Sequence, residues 1–139
     1  MSTSIAAMLN QINKLRSSNI VIIEEPIEFI HKARMSRFTY REVGSDVDSY
    51  TNAVEQALKY VPDVLSIGEI RDAMTMKAAV RVGESGHLVF GTIHAENAMG
   101  VIRKALGFID TQGEKLAFAT NVVGVRAQAQ ELSHKISSF

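Results

Sequence analysis

Cysteine is absent from this 139-residue chain, so neither a disulfide nor a cysteine-ligated zinc can support its fold. That absence fits a cytosolic setting. Net charge is absent too. The 15 basic residues balance 15 acidic ones, which removes the electrostatic footprint expected of a nucleic-acid binder. No apolar run is long enough to span a bilayer, and the first residues lack the pattern of a signal peptide. Proline occurs only as Pro26 and Pro62, and both read as punctuation between elements. No Gly-x-x-x-x-Gly-Lys-Ser/Thr phosphate loop occurs anywhere in the sequence. There is no repeat, linker or low-complexity tract, so residues 1–139 read as one domain. A hydrophobic content of 46% with 22% charged residues is enough for that domain to bury a core of its own.

Apolar spacing then sets the elements. Ile5, Met8, Leu9, Ile12 and Leu15 recur at helical intervals, with Ser2, Thr3 or Ser4 available as a cap. Ile20 to Ile23 are apolar at every position, the mark of a strand covered on both faces. Glu24-Glu25-Pro26 ends it. Residues 27–47 are mixed and polar and read as a loop with a short hairpin. Tyr50, Ala53, Val54, Ala57, Leu58 and Val61 resume helical spacing behind Asp48 or Ser49, and Pro62 stops it. Val64 to Ile67 form the next strand, closed by Gly68. A helix follows from Asp72, turning Met76, Ala79, Val80 and Val82 inward, and Gly83 and Gly86 break it. His87 to Thr92 make a further strand, and helices follow at about 96–107 and 113–132. Strands alternating with helices give an α/β fold with a mainly parallel sheet.

Several clusters of chemically active residues sit where these strands end. Such sheets bind ligands at the carboxyl ends of their strands. Glu69 and Asp72 can hold Mg²⁺ through water or orient an attacking water. Equally, Asp72 can serve only as a helix cap and Glu69 only as a partner for Arg71. Glu24, Glu25 and Glu28 can activate water or bind metal, or form a solvated acidic turn. His87 and His94 bracket one strand at an odd spacing, which sends them to opposite faces and argues against a shared metal. His94 lies where a phosphate would sit, and can also be a satisfied structural histidine. Arg34, Arg37, Arg41 and Arg71 have the planar fork that suits phosphate, including a neighbouring subunit's phosphate, or belong to solvated loops.

Taken in order, these segments resemble the type II/type IV secretion ATPase superfamily, most closely its pilus-retraction (PilT-like) branch. Ile22 to His31, within residues 20–31, resembles the acidic Asp box. Arg41-Glu42-Val43-Gly44 resembles the arginine-glutamate segment that follows. Residues 62–72 resemble the family's atypical Walker B motif with its Gly-Glu-x-Arg-Asp ending, and 84–95 its His box. Residues 96–132 resemble the carboxyl-terminal helices. The opening helix resembles one that starts inside the Walker A loop, with Met1 in the place of the phosphate-binding lysine. Glu25 stands where aspartate is usual, and Arg126, Gln130 and Glu131 stand where the family is more apolar.

The resemblance implies a RecA-like P-loop NTPase core without its phosphate-loop strand, which is expected in the sheet centre beside the Walker B strand. It implies a hexameric ATPase using ATP and Mg²⁺, with Glu69, Glu24 and His94 as catalytic residues. Ser2, Thr3, Arg41, Arg71 and His87 would contact nucleotide or phosphate, and Ser2 and Glu69 would hold Mg²⁺. Partners would be further or full-length ATPase subunits and an inner-membrane pilus or secretion platform protein, with no nucleic acid. The location would be cytoplasmic, at the cytoplasmic face of the inner membrane and peripheral to it at most. Because phosphoryl transfer needs the triphosphate gripped by backbone amides and lysine, the 139 residues alone are expected to hydrolyse little or no ATP. The alternative is a non-catalytic module that joins complete subunits.

Overall fold

The computed structural model describes residues 3–122. Its elements follow the order α1 (Thr3–Leu15), β1 (Asn19–Glu24), β2 (Arg37–Glu42), α2 (Tyr50–Ala57), a 3-10 turn (Leu58–Tyr60), β3 (Val64–Ile67), α3 (Ala73–Glu84), β4 (Leu88–Gly91), α4 (Ala98–Gly107) and α5 (Gln112–Asn121). The strands form one sheet in the order β2-β1-β3-β4, and every pair is parallel.

Alternation along the strands builds a layer on each side. Val21, Ile23, Leu65 and Ile67 face α2 and α3, where Ala53, Val54, Met76, Ala79 and Val82 complete the larger core. Ile20, Ile22 and Val64 face the other way, onto Ile5 and Leu9 of α1. Ile20 to Ile23 are fully buried, as a run apolar at every position requires. On α1, Met8 and Leu15 stay exposed, and Asn13 is buried instead.

Residues 27–47 differ from expectation. They contain no hairpin: Arg37–Glu42 form β2, which pairs parallel to β1 from Asn19↔Arg37 to Glu24↔Glu42. The strand lacks an apolar signature because it lies at a sheet edge and carries arginine and glutamate at its ends. The expected gap beside the strand of residues 64–67 is also not there. β3 pairs with β1 on one side and β4 on the other, so the outer edges among the described residues belong to β2 and β4. The helix expected over 113–132 is described as α5 from Gln112 to Asn121, and residues 123–132 lie outside the described residues.

Caps set the helix starts. Ser49 accepts from Asn52 N–H (3.1 Å), Asp72 from Thr75 N–H (2.8 Å), Asn97 from Gly100 N–H (2.8 Å) and Thr111 from Glu114 N–H (3.2 Å).

Candidate functional site

The parallel register places the strand ends at one level. Ile23 of β1 pairs with Ile67 of β3, and Ile67 pairs with Gly91 of β4. Glu24, Gly68-Glu69 and Thr92 to His94 therefore share one rim of the sheet. α1 joins this rim from the other direction. It ends at Leu15, just before β1 starts at Asn19, so it runs back along the strand. Helix and strand are each about 20 Å long, which sets the first turn at Thr3 over the carboxyl end of β1.

Two glycines let the rim close up. A Cβ on Gly68 would lie 3.1 Å from the Ile23 carbonyl oxygen and 3.2 Å from Glu24 Cγ. A Cβ on Gly91 would lie 2.7 Å from Ile70 Cδ1. Ile70, the residue after Glu69, is buried and its N–H donates to the Thr92 carbonyl (2.8 Å). The ends of β3 and β4 are thus tied together directly behind Glu69 and His94.

Glu69 lies between a histidine and an arginine. Its Oε1 is 3.3 Å from His94 Nε2 and its Oε2 is 3.5 Å from Arg71 Nε. Arg71 extends the chain of charges: its Nη2 donates to Glu25 Oε2 at 2.7 Å, and its guanidinium lies 5.5 Å from the centre of the Tyr50 ring. The hydrogen bond to Glu25 and the Glu69 charge push the arginine pKa up. Burial pushes the Tyr50 hydroxyl up. His94 itself is exposed, and its carbonyl accepts from Lys104 Nζ (3.0 Å). Glu24 is buried at 2% exposure.

Other predicted residues are placed elsewhere. His87 stands at the amino end of β4, where its Nδ1 donates to the Pro62 carbonyl (2.6 Å), on the opposite rim from His94. Arg41 turns toward α2, with Nη2 donating to the Gln56 side chain (3.0 Å) and the Asp46 carbonyl (3.2 Å). Asp72 caps α3. Glu28 is exposed, and so are the side chains of Arg34 and Arg37. Thr3 is exposed at the start of α1, and Ser2 lies outside the described residues. Among the described residues, no group of three or more His, Asp or Glu could cage a metal.

Some contributors were not visible in the sequence reading. Tyr50 supports Arg71 from α2. His31 is buried at 6% exposure, stacked on Phe38 (4.9 Å, 5°) and edge-on to Phe29 (4.7 Å). Burial lowers its pKa, against the opposing pull of Glu24. Its backbone N–H donates to the Tyr40 hydroxyl (2.7 Å), and burial raises the pKa of that hydroxyl. The signal was Phe29, His31, Phe38 and Tyr40 recurring around one polar stretch.

Residues 1–137 match the family described as type II/IV secretion system protein. The chain is 44% identical over 107 residues to the type IV pilus ATPase PilU of Pseudomonas aeruginosa, a span that covers 77% of this chain and 28% of the relative. It is 39% identical over 105 residues to the type IV pilus retraction ATPase PilT of the same organism, covering 76% of this chain and 30% of the relative. The chain thus spans under a third of these relatives. Among solved structures, the pilus retraction motor PilT with bound ADP superposes with a TM-score of 0.79 at 30% identity, over 98% of this chain and 46% of that one. The Legionella pneumophila ATPase DotB superposes with a TM-score of 0.81 at 21% identity, over 86% of this chain and 35% of that one, which bears on the fold alone.

Proposed function

This chain belongs to the type II/IV secretion system protein family, and from that premise we propose that it forms the water-activating part of a hexameric, Mg²⁺-dependent ATPase that powers a type IV pilus or a secretion machine. The observation that carries the reading is the shared rim: Glu24 and Glu69 end neighbouring parallel strands, and His94 is 3.3 Å from Glu69.

Glu69 polarises the attacking water, and Glu24 supports it from a buried position. His94 couples the γ-phosphate to the Glu69 carboxylate. Arg71 orders the same rim through Glu25 and is the arginine best placed to meet a phosphate there. Thr3, in the first turn of α1, would approach the phosphates, and the family resemblance gives Ser2 the same role. Arg41 would need to leave Gln56, and His87 acts from the far rim as a link to the Pro62 backbone. The donor set fits Mg²⁺ in one way. A single carboxylate such as Glu69, with waters and bound phosphate oxygens, meets the usual demands of that ion without an all-protein cage. When bound, the ion would offset charge on the phosphates.

The partners in this reading are further subunits of the same kind and a platform protein at the cytoplasmic face of the inner membrane. Among the described residues no helix is long and apolar enough to cross a membrane. A second reading is a non-catalytic module that joins complete subunits.

The test substitutes this segment for the matching stretch of PilT and measures ATP hydrolysis. Turnover should persist, and Glu69→Gln should lower kcat by about 100-fold or more. Undiminished turnover with Glu69→Gln would sink the assignment. A chimaera that assembles but never hydrolyses ATP would favour the non-catalytic reading.

A further inference from the structure

The link from β1 to β2 contains neither helix nor strand, yet it is held at both ends. Ile27 N–H donates to Glu42 Oε1 (2.9 Å). Further on, the fully buried Asn13 donates from Nδ2 to the Lys32 carbonyl (2.8 Å) and accepts at Oδ1 from Arg34 N–H (2.9 Å) and Ser36 N–H (3.2 Å). Long connections held in place like this usually serve a site. Between its anchors the link carries His31 inward, to 6% exposure.

His31 enters the layer that contains Glu24. Alternate residues of a strand share a face, so Glu24 follows Ile20 and Ile22 on the α1 side of the sheet. Phe38 and Tyr40 lie beside them, paired with Ile20 and Ile22. The His31 ring stacks on Phe38 (4.9 Å, 5°) and meets Phe29 edge-on (4.7 Å), and its backbone N–H donates to Tyr40 Oη (2.7 Å). Burial lowers the His31 pKa and raises that of Tyr40, and the Glu24 charge acts on both. The ring is therefore neutral at neutral pH and within electrostatic reach of the carboxylate. Its Nε2 is buried and finds no hydrogen-bond partner among the described residues. A buried polar atom in that position calls for a partner, and packing alone would be served better by a phenyl ring.

We propose that His31 is a positioning residue for Glu24. Clamped between aromatic rings, it shares one bridging water with the Glu24 carboxylate through Nε2, and so fixes the angle from which that carboxylate supports the attacking water. His31 acts only through Glu24, so this role rests on the proposed function, in which Glu24 serves hydrolysis.

The experiment has two arms. In the purified 139-residue chain, the His31 Cε1–H resonance reports the contact without any turnover. The titratable groups within reach of the ring are Glu24 of β1 and Tyr40 of β2, and Phe29 and Phe38 bring no charge. Glu24→Gln removes a charge that raises the His31 pKa, so the titration midpoint of the resonance should fall. An unmoved midpoint would overturn the proposal. In the PilT chimaera, kcat and KM for ATP are read separately. His31→Phe preserves the stack but removes the nitrogen, and should lower kcat by about tenfold with KM little changed. His31→Gln places an amide nitrogen close to the position of Nε2 and should keep most of the turnover. Urea denaturation verifies that each variant is folded. His31→Phe should cost little more once Glu24→Gln is present, because both act on one group. Full turnover in His31→Phe, or equal losses in His31→Phe and His31→Gln, would overturn the positioning role and leave the assignment of Glu24 intact. Unchanged turnover in Glu24→Gln would instead remove Glu24 from the reaction, and its proposed role and that of His31 would fall together.

Discussion

Gly68 approaches Glu24 so closely that a Cβ there would stand 3.2 Å from the glutamate Cγ. The contact is a consequence of register. Gly68 N–H donates to the Ile23 carbonyl (2.7 Å), which draws the turn after β3 onto the end of β1. A larger residue must displace either the β1 backbone or the Glu24 side chain. Gly68→Ala should therefore cost about 1–2 kcal/mol of stability, measured by urea denaturation. In the PilT chimaera it should lower kcat more than it raises KM if, as proposed, the displaced Glu24 serves the chemistry. An unchanged kcat would separate Glu24 from the reaction.

Asp72 tests a different boundary, between a structural cap and a catalytic acid. Its Oδ1 accepts from Thr75 N–H at 2.8 Å at the head of α3. Asp72→Ala should cost about 1 kcal/mol, and Asp72→Ser or Asp72→Asn should restore most of it. If the chimaera carrying Asp72→Asn keeps its turnover, the residue acts through the helix alone. A large loss of kcat with full stability would assign it chemistry.

Legibility followed burial and local rules. β1 and β3 were readable because a central strand must be apolar on both faces. The caps at Ser49 and Asp72 were readable because short polar side chains before helical spacing have few other uses there. β2 was not readable: at an edge, strand pairing is satisfied on one side only and tolerates Arg37, Arg41 and Glu42. At the site, motif order pointed to Glu24, Glu69 and His94, which the parallel register brings to one rim. The resemblance carried His87 to the phosphate with them, although the two histidines bracket β4 and so stand at its opposite ends. The Tyr50–Arg71–Glu25 chain was also out of reach, since it joins α2 to the turns after β1 and β3.

His31 gives stability a pH dependence with a definite sign. Burial lowers its folded-state pKa below 6.5, so below that value the unfolded chain binds a proton that the folded chain resists. Its contribution is fully present above pH 6.5 and is lost as pH falls toward the folded value. His31→Phe can keep the stack with Phe29 and Phe38 while removing the titration. Urea midpoints should therefore fall less for His31→Phe than for the parent chain on going from neutral to mildly acidic pH. Parallel falls would mean that the imidazole titrates normally.

The staple at Asn13 should be expensive to remove. Its side chain satisfies one carbonyl and two N–H groups of residues 32–36 in a buried setting. Alanine leaves those groups without a partner, at about 1–3 kcal/mol for a buried unsatisfied group. Asn13→Ala should lower stability by about 3 kcal/mol, with amide exchange rising first at Arg34 and Ser36. A loss below about 1 kcal/mol would mean that water replaces the side chain readily.

Val61 predicts a gain. It precedes Pro62 with φ at 50°, in the left-handed region, although it is β-branched. Its side chain is 74% exposed, so little packing holds it there. The conformation is imposed by the backbone around it: Asn19 Nδ2 donates to the Tyr60 and Val61 carbonyls, and Asn19 N–H donates to Asp63 Oδ2 (2.7 Å). Asparagine tolerates this region far better than valine, and the penalty for an ordinary side chain is about 1–2 kcal/mol. Val61→Asn should therefore raise the urea midpoint by the equivalent of about 1 kcal/mol. Asn19→Ala should lower the midpoint and, by releasing the strained turn, should also shrink the gain from Val61→Asn. Additive effects of the two substitutions would show that Asn19 does not impose the strain.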